Sequence, residues 1–417
     1  MAGGGQAGLE TAAALRAGGY DGPVTIVGDE PGLPYERPPL SKALLTGDRG
    51  ADAVVLRPRS FFDDRDVELR DDRRVSAIDR ERRRVTLDDG ARVSYEHLVL
   101  ATGAFNRRLN DLPGSRLDGV LALRTLAESL ELRDRLSAAQ RVAIVGAGFI
   151  GLEVASAATS LGCQVDVFEA AERPMTRTTS SPTAAFFASA HASRGVRLHL
   201  RAAPAAITAS GCGVEAVEDT AGNKHPADVV VIAVGVQPND ELAARAGLAV
   251  DRGVIVDELL RCPQDAAISA IGDCARFPSR HFGGATTLES VQNAAEQGRH
   301  VAARIASDSQ APYAAVPWFW SDQAGVRLQI AGRTADAQQT VVCGDVESGR
   351  FSVLCFSDGR LCGVESVGRP GDHVAARRLL AGHDGRLEPR EAATPGFELR
   401  DYARAAQTTN GGDGHAA

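Results

Sequence analysis

Two runs of the sequence carry glycines at one spacing. GGGQAGLETAAAL begins at Gly3 and keeps Gly3, Gly5 and Gly8 in phase; GAGFIGLEVASAA begins at Gly146 and keeps Gly146, Gly148 and Gly151. A G-x-G-x-x-G turn leading into a helix is chemistry for holding a diphosphate. The first glycine permits the tight turn, the second lets the anion reach the backbone, and the third lets helix and strand pack closely. The helix start then offers unpaired N–H groups and a partial positive charge. Glu169 lies 23 residues past Gly146, where a carboxylate accepts hydrogen bonds from an adenosine ribose and repels a 2'-phosphate, favouring NADH over NADPH. Arg173 and Arg177 follow closely enough to soften that preference. Asp273 comes just after the apolar run 267–271, which places an acid at the carboxyl end of a strand, where ligands of such sheets bind.

These groups need a strand ahead of each glycine run and a helix behind it. Around the second run both are legible: strand 141–145, an alanine-rich helix, then strand 164–168 ending at Glu169. The first run has its helix, through Leu15, and a strand 24–27 followed by Gly28 and Asp29, but only Met1 and Ala2 stand where its leading strand belongs. In a doubly wound sheet that strand is central and covered on both faces. Four buried Val or Ile residues there would contribute about 6 to 12 kcal/mol, comparable to the stability of a whole domain. The expectation is a native start a handful of residues upstream. The duplication continues past the glycines, with HLVLATG at 97–103 and VVVIAVG at 229–235, each preceded by a hairpin signal, Asp89-Gly90 or Ala221-Gly222. Two dinucleotide units in tandem imply two dinucleotides.

The composition agrees with such a chain and excludes other classes. At 417 residues it exceeds one hydrophobic core, and its 44% hydrophobic and 24% charged residues are those of an ordinary globular protein. A net charge of -8 argues against a nucleic-acid binder, which needs a basic face. No run approaches the length of a membrane span and no signal peptide is legible, so the expected location is cytoplasmic. The seven cysteines show no CxxC pair and no zinc spacing, so no metal is expected and the thiols read as small buried hydrophobes. Of 46 basic residues only Lys42 and Lys224 are lysine, which makes Lys42 conspicuous.

Taken in order, the first glycine run, RPPLSK at 37–42, ATG at 101–103, the second glycine run, VGVQPN at 234–239, IGDCA at 271–275, ESVQNA at 289–294 and WFWSDQ at 318–323 resemble the FAD-dependent, NADH-using ferredoxin reductases, including the reductase components of aromatic-ring dioxygenases. The resemblance implies an α/β fold with two Rossmann-like dinucleotide-binding domains, the second inserted in the first, and a C-terminal α+β interface domain. The expected bounds are 1–106 and 236–315 for the FAD domain, 107–235 for the NAD domain, 316–405 for the interface domain and 406–417 for a disordered tail. It further implies FAD contacts from Gly3, Gly5, Ala7, Gly8, Asp29, Arg37, Lys42 and Val75, from Ala101, Thr102, Gly103 and Arg124, and from Asp273, Glu289 and Val291. NADH would meet Gly146, Gly148, Ile150, Gly151, Glu169 and Gly235.

The same resemblance gives three residues a part in catalysis. Lys42 would set a fixed positive charge near flavin N5, paired with Glu153 just inside the second nucleotide helix. Trp320, with Trp318, would lie near the flavin edge and the acceptor route; otherwise the two are C-terminal core. Glu10 holds the place of Glu153 in the first copy, so duplication alone could account for that glutamate. Thiol-dependent members of the same two-nucleotide plan need a reactive cysteine near the first helix, and none precedes Cys163. Electrons are therefore expected to leave singly, to a [2Fe-2S] ferredoxin or else a rubredoxin, with the chain a monomer or weak homodimer. An acidic carrier would need a local basic patch, for which Arg70 to Arg84 and the cluster of Arg369, Arg377 and Arg378 are candidates. The alternative is a scaffold resembling apoptosis-inducing factor with little reductase activity.

Overall fold

The computed structural model describes residues 1–211, 213–382 and 387–410. The chain folds as two compact units: residues 1–37, 50–105 and 236–315 form the first, and 38–49, 106–235 and 316–417 the second. The expected first block thus gives up residues 38–49. That segment opens with a short 3-10 turn, Pro38–Ser41, and belongs with the second unit because its side chains are tied there.

In the first unit, Val24–Val27 pairs in parallel with Val67–Arg70, and Leu98–Leu100 pairs in parallel with Asp265–Ala270. Met1 and Ala2 stitch the two halves together. Ala2 N–H donates to Val99 O and Ala101 N–H to Ala2 O, both at 2.8 Å, while Val27 N–H donates to Met1 O at 2.9 Å. Two residues thus hold the place for which the second unit uses five. The strands are buried, with Ile26, Leu100, Ile268 and Ala270 almost without exposure, as expected of a sheet covered on both faces. Helix Gln6–Ala17 lies against helix Val291–Ser307, where a Cβ on Gly298 would come 2.9 Å from Ala7 O, so only glycine allows that spacing. Ser290 caps the second of these helices, its Oγ accepting from Asn293 N–H at 3.1 Å.

In the second unit a five-stranded parallel sheet runs in the order Val196–Leu200, Gln164–Glu169, Arg141–Val145, Val229–Ile232, Val120–Leu121. Val142, Ile144, Val165, Val167 and Val230 fill its centre. Helix Phe149–Ser160 follows the central strand directly. Helix Leu126–Ala138 begins with a capping box in which Thr125 and Glu128 satisfy each other's backbone N–H. The C-terminal part is an antiparallel sheet in the order Trp318–Gln323, Val326–Gly332, Arg360–Val367, Arg350–Ser357, Gln339–Asp345. Helix Pro370–Ala381 packs on that sheet through Ala376 and Leu380. The last helix spans Leu399–Asn410, so the expected tail from 406 begins inside it, and residues 411–417 of that tail lie outside the described residues. No described helix is long and apolar enough to cross a membrane.

Candidate functional site

Each unit builds one glycine turn, and the two have the same steric profile. In the first, Gly3 has φ +125°, and a Cβ there would sit 2.0 Å from Ala101 O; a Cβ on Gly8 would sit 2.1 Å from Gly3 O. In the second, a Cβ on Gly146 would sit 2.5 Å from Ala233 O and one on Gly151 2.0 Å from Gly146 O. These outer glycines are forced by backbone touching backbone. The middle glycines, Gly5 and Gly148, have nothing within 4 Å of a Cβ. Each also caps its 12-residue helix with no side chain bonded to the terminal N–H groups and no acid in the first turn. Donors left unpaired beside open space are what a diphosphate requires, so both turns fit a dinucleotide.

Around the first turn, Ala101 and Ala7 are buried beside the glycines, and the Gly272–Cys274 turn carrying Asp273 approaches Ala7, whose Cβ would lie 3.3 Å from a Cβ on Gly272. Gly272 N–H is fixed by Gln297 Oε1 at 2.7 Å. Arg37 pairs with Glu30 at 2.6 Å and lies over the Tyr35 ring. Thr102 and Asn239 exchange two side-chain bonds to each other's carbonyl oxygens, at 2.7 and 2.8 Å, and Gly103 O accepts from Asn239 N–H. Asp29 is on the surface, paired with Arg74 at 3.0 Å. Val75 is buried opposite Leu87; Glu289 and Val291 bracket the helix cap at Ser290.

Around the second turn, the two Glu169 oxygens accept from Ala147 and Ala171 N–H groups, each at 2.8 Å, so the carboxylate is held against the turn itself. Ile150 is 43% exposed at the helix start. Gly235 has φ +101°, with the Arg177 guanidinium 3.3 Å from where its Cβ would be. Arg173 is spent on the Thr176 and Thr179 carbonyls, which removes it as a partner for a 2'-phosphate. Arg124 precedes the capped helix, its N–H donating to Glu128 Oε2 at 2.7 Å.

One turn into the second nucleotide helix, Glu153 is only 2% exposed and forms an ion pair with Lys42 Nζ at 2.5 Å. Ser41 Oγ donates to the same oxygen at 2.5 Å, and Ser321 Oγ donates to the other at 2.6 Å. Lys42 also donates to Pro38 O at 3.3 Å, and Ser129 anchors the segment by donating to Leu40 O at 2.7 Å. Ser41 and Ser321 escape a reading of the sequence as site residues. Both stand inside motif runs, RPPLSK and WFWSDQ, but nothing in their type marks them. Trp318 and Trp320 are half-buried neighbours, 5.6 Å between centroids, and Arg377 lies 4.7 Å over the Trp318 ring.

Two other clusters are closed. Asp166, His199 and His225 converge as a metal-ligating set would, but Arg197 holds both Asp166 oxygens, at 2.8 and 2.5 Å, and His225 is turned to Asp219 at 3.0 Å. The arginine run at 70–84 is met by acids mostly from outside it: Arg70, Arg73, Arg74 and Arg80 pair with Glu68, Asp89, Asp29 and Asp265, and Arg82 and Arg84 with Asp79, all between 2.8 and 3.4 Å. It is a neutralised face.

A family model described as pyridine nucleotide-disulphide oxidoreductase matches residues 2–298, and a reductase C-terminal model matches 318–403. Rhodocoxin reductase of Rhodococcus erythropolis is 48% identical over 398 residues, spanning 95% of this chain and 92% of that protein. A crystallised ferredoxin reductase of Rhodopseudomonas palustris superposes with a TM-score of 0.93 at 45% identity, covering 96% of this chain and 98% of its own. The reductase in the crystallised covalent putidaredoxin reductase–putidaredoxin complex superposes with a TM-score of 0.92 at 35% identity, covering 97% of each.

Proposed function

The chain belongs to the pyridine nucleotide-disulphide oxidoreductase family, and we propose that within it the protein is an FAD-dependent reductase that oxidises NADH and passes single electrons to a [2Fe-2S] ferredoxin serving a P450 or Rieske-type oxygenase. The observation that carries this reading is the matched pair of glycine turns, one in each unit, both open at the middle glycine. The carrier is inferred from the relatives: a ferredoxin reductase and a reductase caught with putidaredoxin.

In this reading the turn at Gly3, Gly5 and Gly8, with Ala101 and Asp273 beside it, holds FAD, and the turn at Gly146, Gly148 and Gly151, with Glu169, holds NADH. When bound, the flavin supplies the exchange between a two-electron hydride and one-electron transfers. The protein's own part is positioning and electrostatics. The two uncapped helix starts would hold the diphosphates, Glu169 would accept from the adenosine ribose, and Glu153 fixes the ammonium of Lys42, a preorganised positive charge of the kind that would favour a reduced flavin. Among the described residues no cysteine favours the thiolate: burial pushes up Cys163, Cys274, Cys343, Cys355 and Cys362, and pushes Cys262 up to about 12. The described cysteines are free, in keeping with a cytoplasmic location where thiols stay reduced.

The purified protein should be yellow, oxidise NADH slowly alone and turn over quickly when a ferredoxin is supplied, measured as cytochrome c reduction. Turnover with a rubredoxin but no ferredoxin would reassign the carrier. A protein inert to NADH with both carriers present contradicts the reading.

A further inference from the structure

Glu153 is a carboxylate almost without solvent, and burying such a charge is costly unless it is paired and its oxygens are hydrogen-bonded. Lys42 and Ser41 both approach Oε2, which leaves Oε1 to Ser321 alone among the bonded groups described. Ser321 is not an isolated donor. Its Oγ accepts from Gln323 Nε2 at 3.1 Å, and Gln323 Oε1 faces His191 Nε2 at 2.9 Å. Along strand Trp318–Gln323 the period of two puts Ser321 and Gln323 on one buried face, with Asp322 on the other, paired with Arg327.

Donor and acceptor chemistry fixes the direction of this chain. An ionised carboxylate only accepts, so Ser321 must donate its one proton to Glu153 and can only accept from Gln323. The Gln323 carbonyl then faces His191, which must carry its proton on Nε2. That tautomer leaves Nδ1 bare, and Nδ1 is buried with no partner. Burial also lowers the His191 pKa, which keeps the ring neutral. Three dipoles in series therefore point their positive ends at Oε1.

The structure assigns to Ser321, supported by Gln323 and His191, the role of positioning residues that hold the Glu153 carboxylate turned to Lys42. The strand at the start of the C-terminal domain thereby sets the charge pair beside the second nucleotide turn. The consequence for catalysis rests on the function proposed above; the consequence for the ion pair does not.

With only two lysines in the chain, lysine-selective 15N labelling reads the pair directly. The Lys42 ammonium, held by Glu153, should give a proton-coupled signal protected from exchange, in the protein with or without NADH. In Ser321→Ala that signal should broaden away, and flavin reduction by NADH in anaerobic stopped flow should slow about tenfold, the effect of losing one hydrogen bond to a charged group. Ser321→Thr, which keeps the hydroxyl, should restore both, and Asp322→Asn should change neither. Gln323→Leu, which keeps Ser321 but removes its orienting donor, should weaken the signal if Ser321→Ala does not fold. An unchanged Lys42 signal in Ser321→Ala, or in Gln323→Leu if that is the variant that folds, overturns the assignment whatever the enzyme reduces. A lost signal with an unchanged rate keeps the positioning of the pair and overturns only its link to flavin reduction.

Discussion

Glu10 and Glu153 stand on the same rung of two copies of one helix, each seven residues past the first glycine of its turn. Glu10 makes a surface pair with Arg299 at 3.2 Å, and over half of that arginine is exposed. Glu153 is buried under Lys42, Ser41 and Ser321. A glutamate is present at both places, and what is laid over the helix decides which becomes a charged hub. Where the copies must do the same thing they agree closely: outer glycines against backbone, middle glycines facing open space.

That contrast can be broken at several points. The largest effect is expected where the copies agree. Gly8→Val and Gly151→Val put side chains into carbonyl oxygens about 2 Å away, and each should lose about 3 kcal/mol or more, read as a collapse in Tm. Gly5→Ala and Gly148→Ala meet nothing, so they should keep the Tm of the cofactor-free protein and lose FAD retention and NADH affinity respectively. Equal damage from middle and outer glycines would break the steric account of the turns.

Next comes the glutamate pair itself. Glu153→Ala strands a half-buried ammonium and should cost about 3 kcal/mol, whereas Glu10→Ala should cost under about 1 kcal/mol. Matching losses in denaturant unfolding would mean that burial does not distinguish the copies. Lys42→Ala should slow flavin reduction on the order of a hundredfold, the scale for losing one preorganised charge partner. An unchanged stopped-flow rate would remove Lys42 from the mechanism. The smallest effect is expected at Glu169: Glu169→Ala should cut the preference for NADH over NADPH by roughly tenfold in kcat/KM, since the repelling carboxylate is gone.

The parts legible in the sequence are those whose cause is local. The strands Val24–Val27 and Arg141–Val145 are mostly apolar runs that stop at glycine, and the structure has them at those residues. The glycine turns are legible because their steric demand is met within a few residues. The hub around Glu153 is not. Its partners lie 112 and 168 residues away, and a serine that donates to a buried carboxylate looks like any other serine. The placement of residues 38–49 is hidden for the same reason: these residues side with the second unit through Lys42, Ser41 and Leu40, contacts that no periodicity announces. The arginine run at 70–84 fails differently. Read along the chain it looks basic, but folding brings Asp29, Asp89 and Asp265 onto it.

Two dinucleotide cradles in one chain let a hydride from NADH leave as single electrons. Anaerobic titration of the flavin-loaded protein with NADH, followed by oxidised ferredoxin, tests it by stoichiometry. One NADH should bleach one flavin, and the reduced protein should then reduce two ferredoxins and regain its yellow colour. A flavin that NADH leaves oxidised, or a reduced flavin that ferredoxin cannot reoxidise, would contradict it.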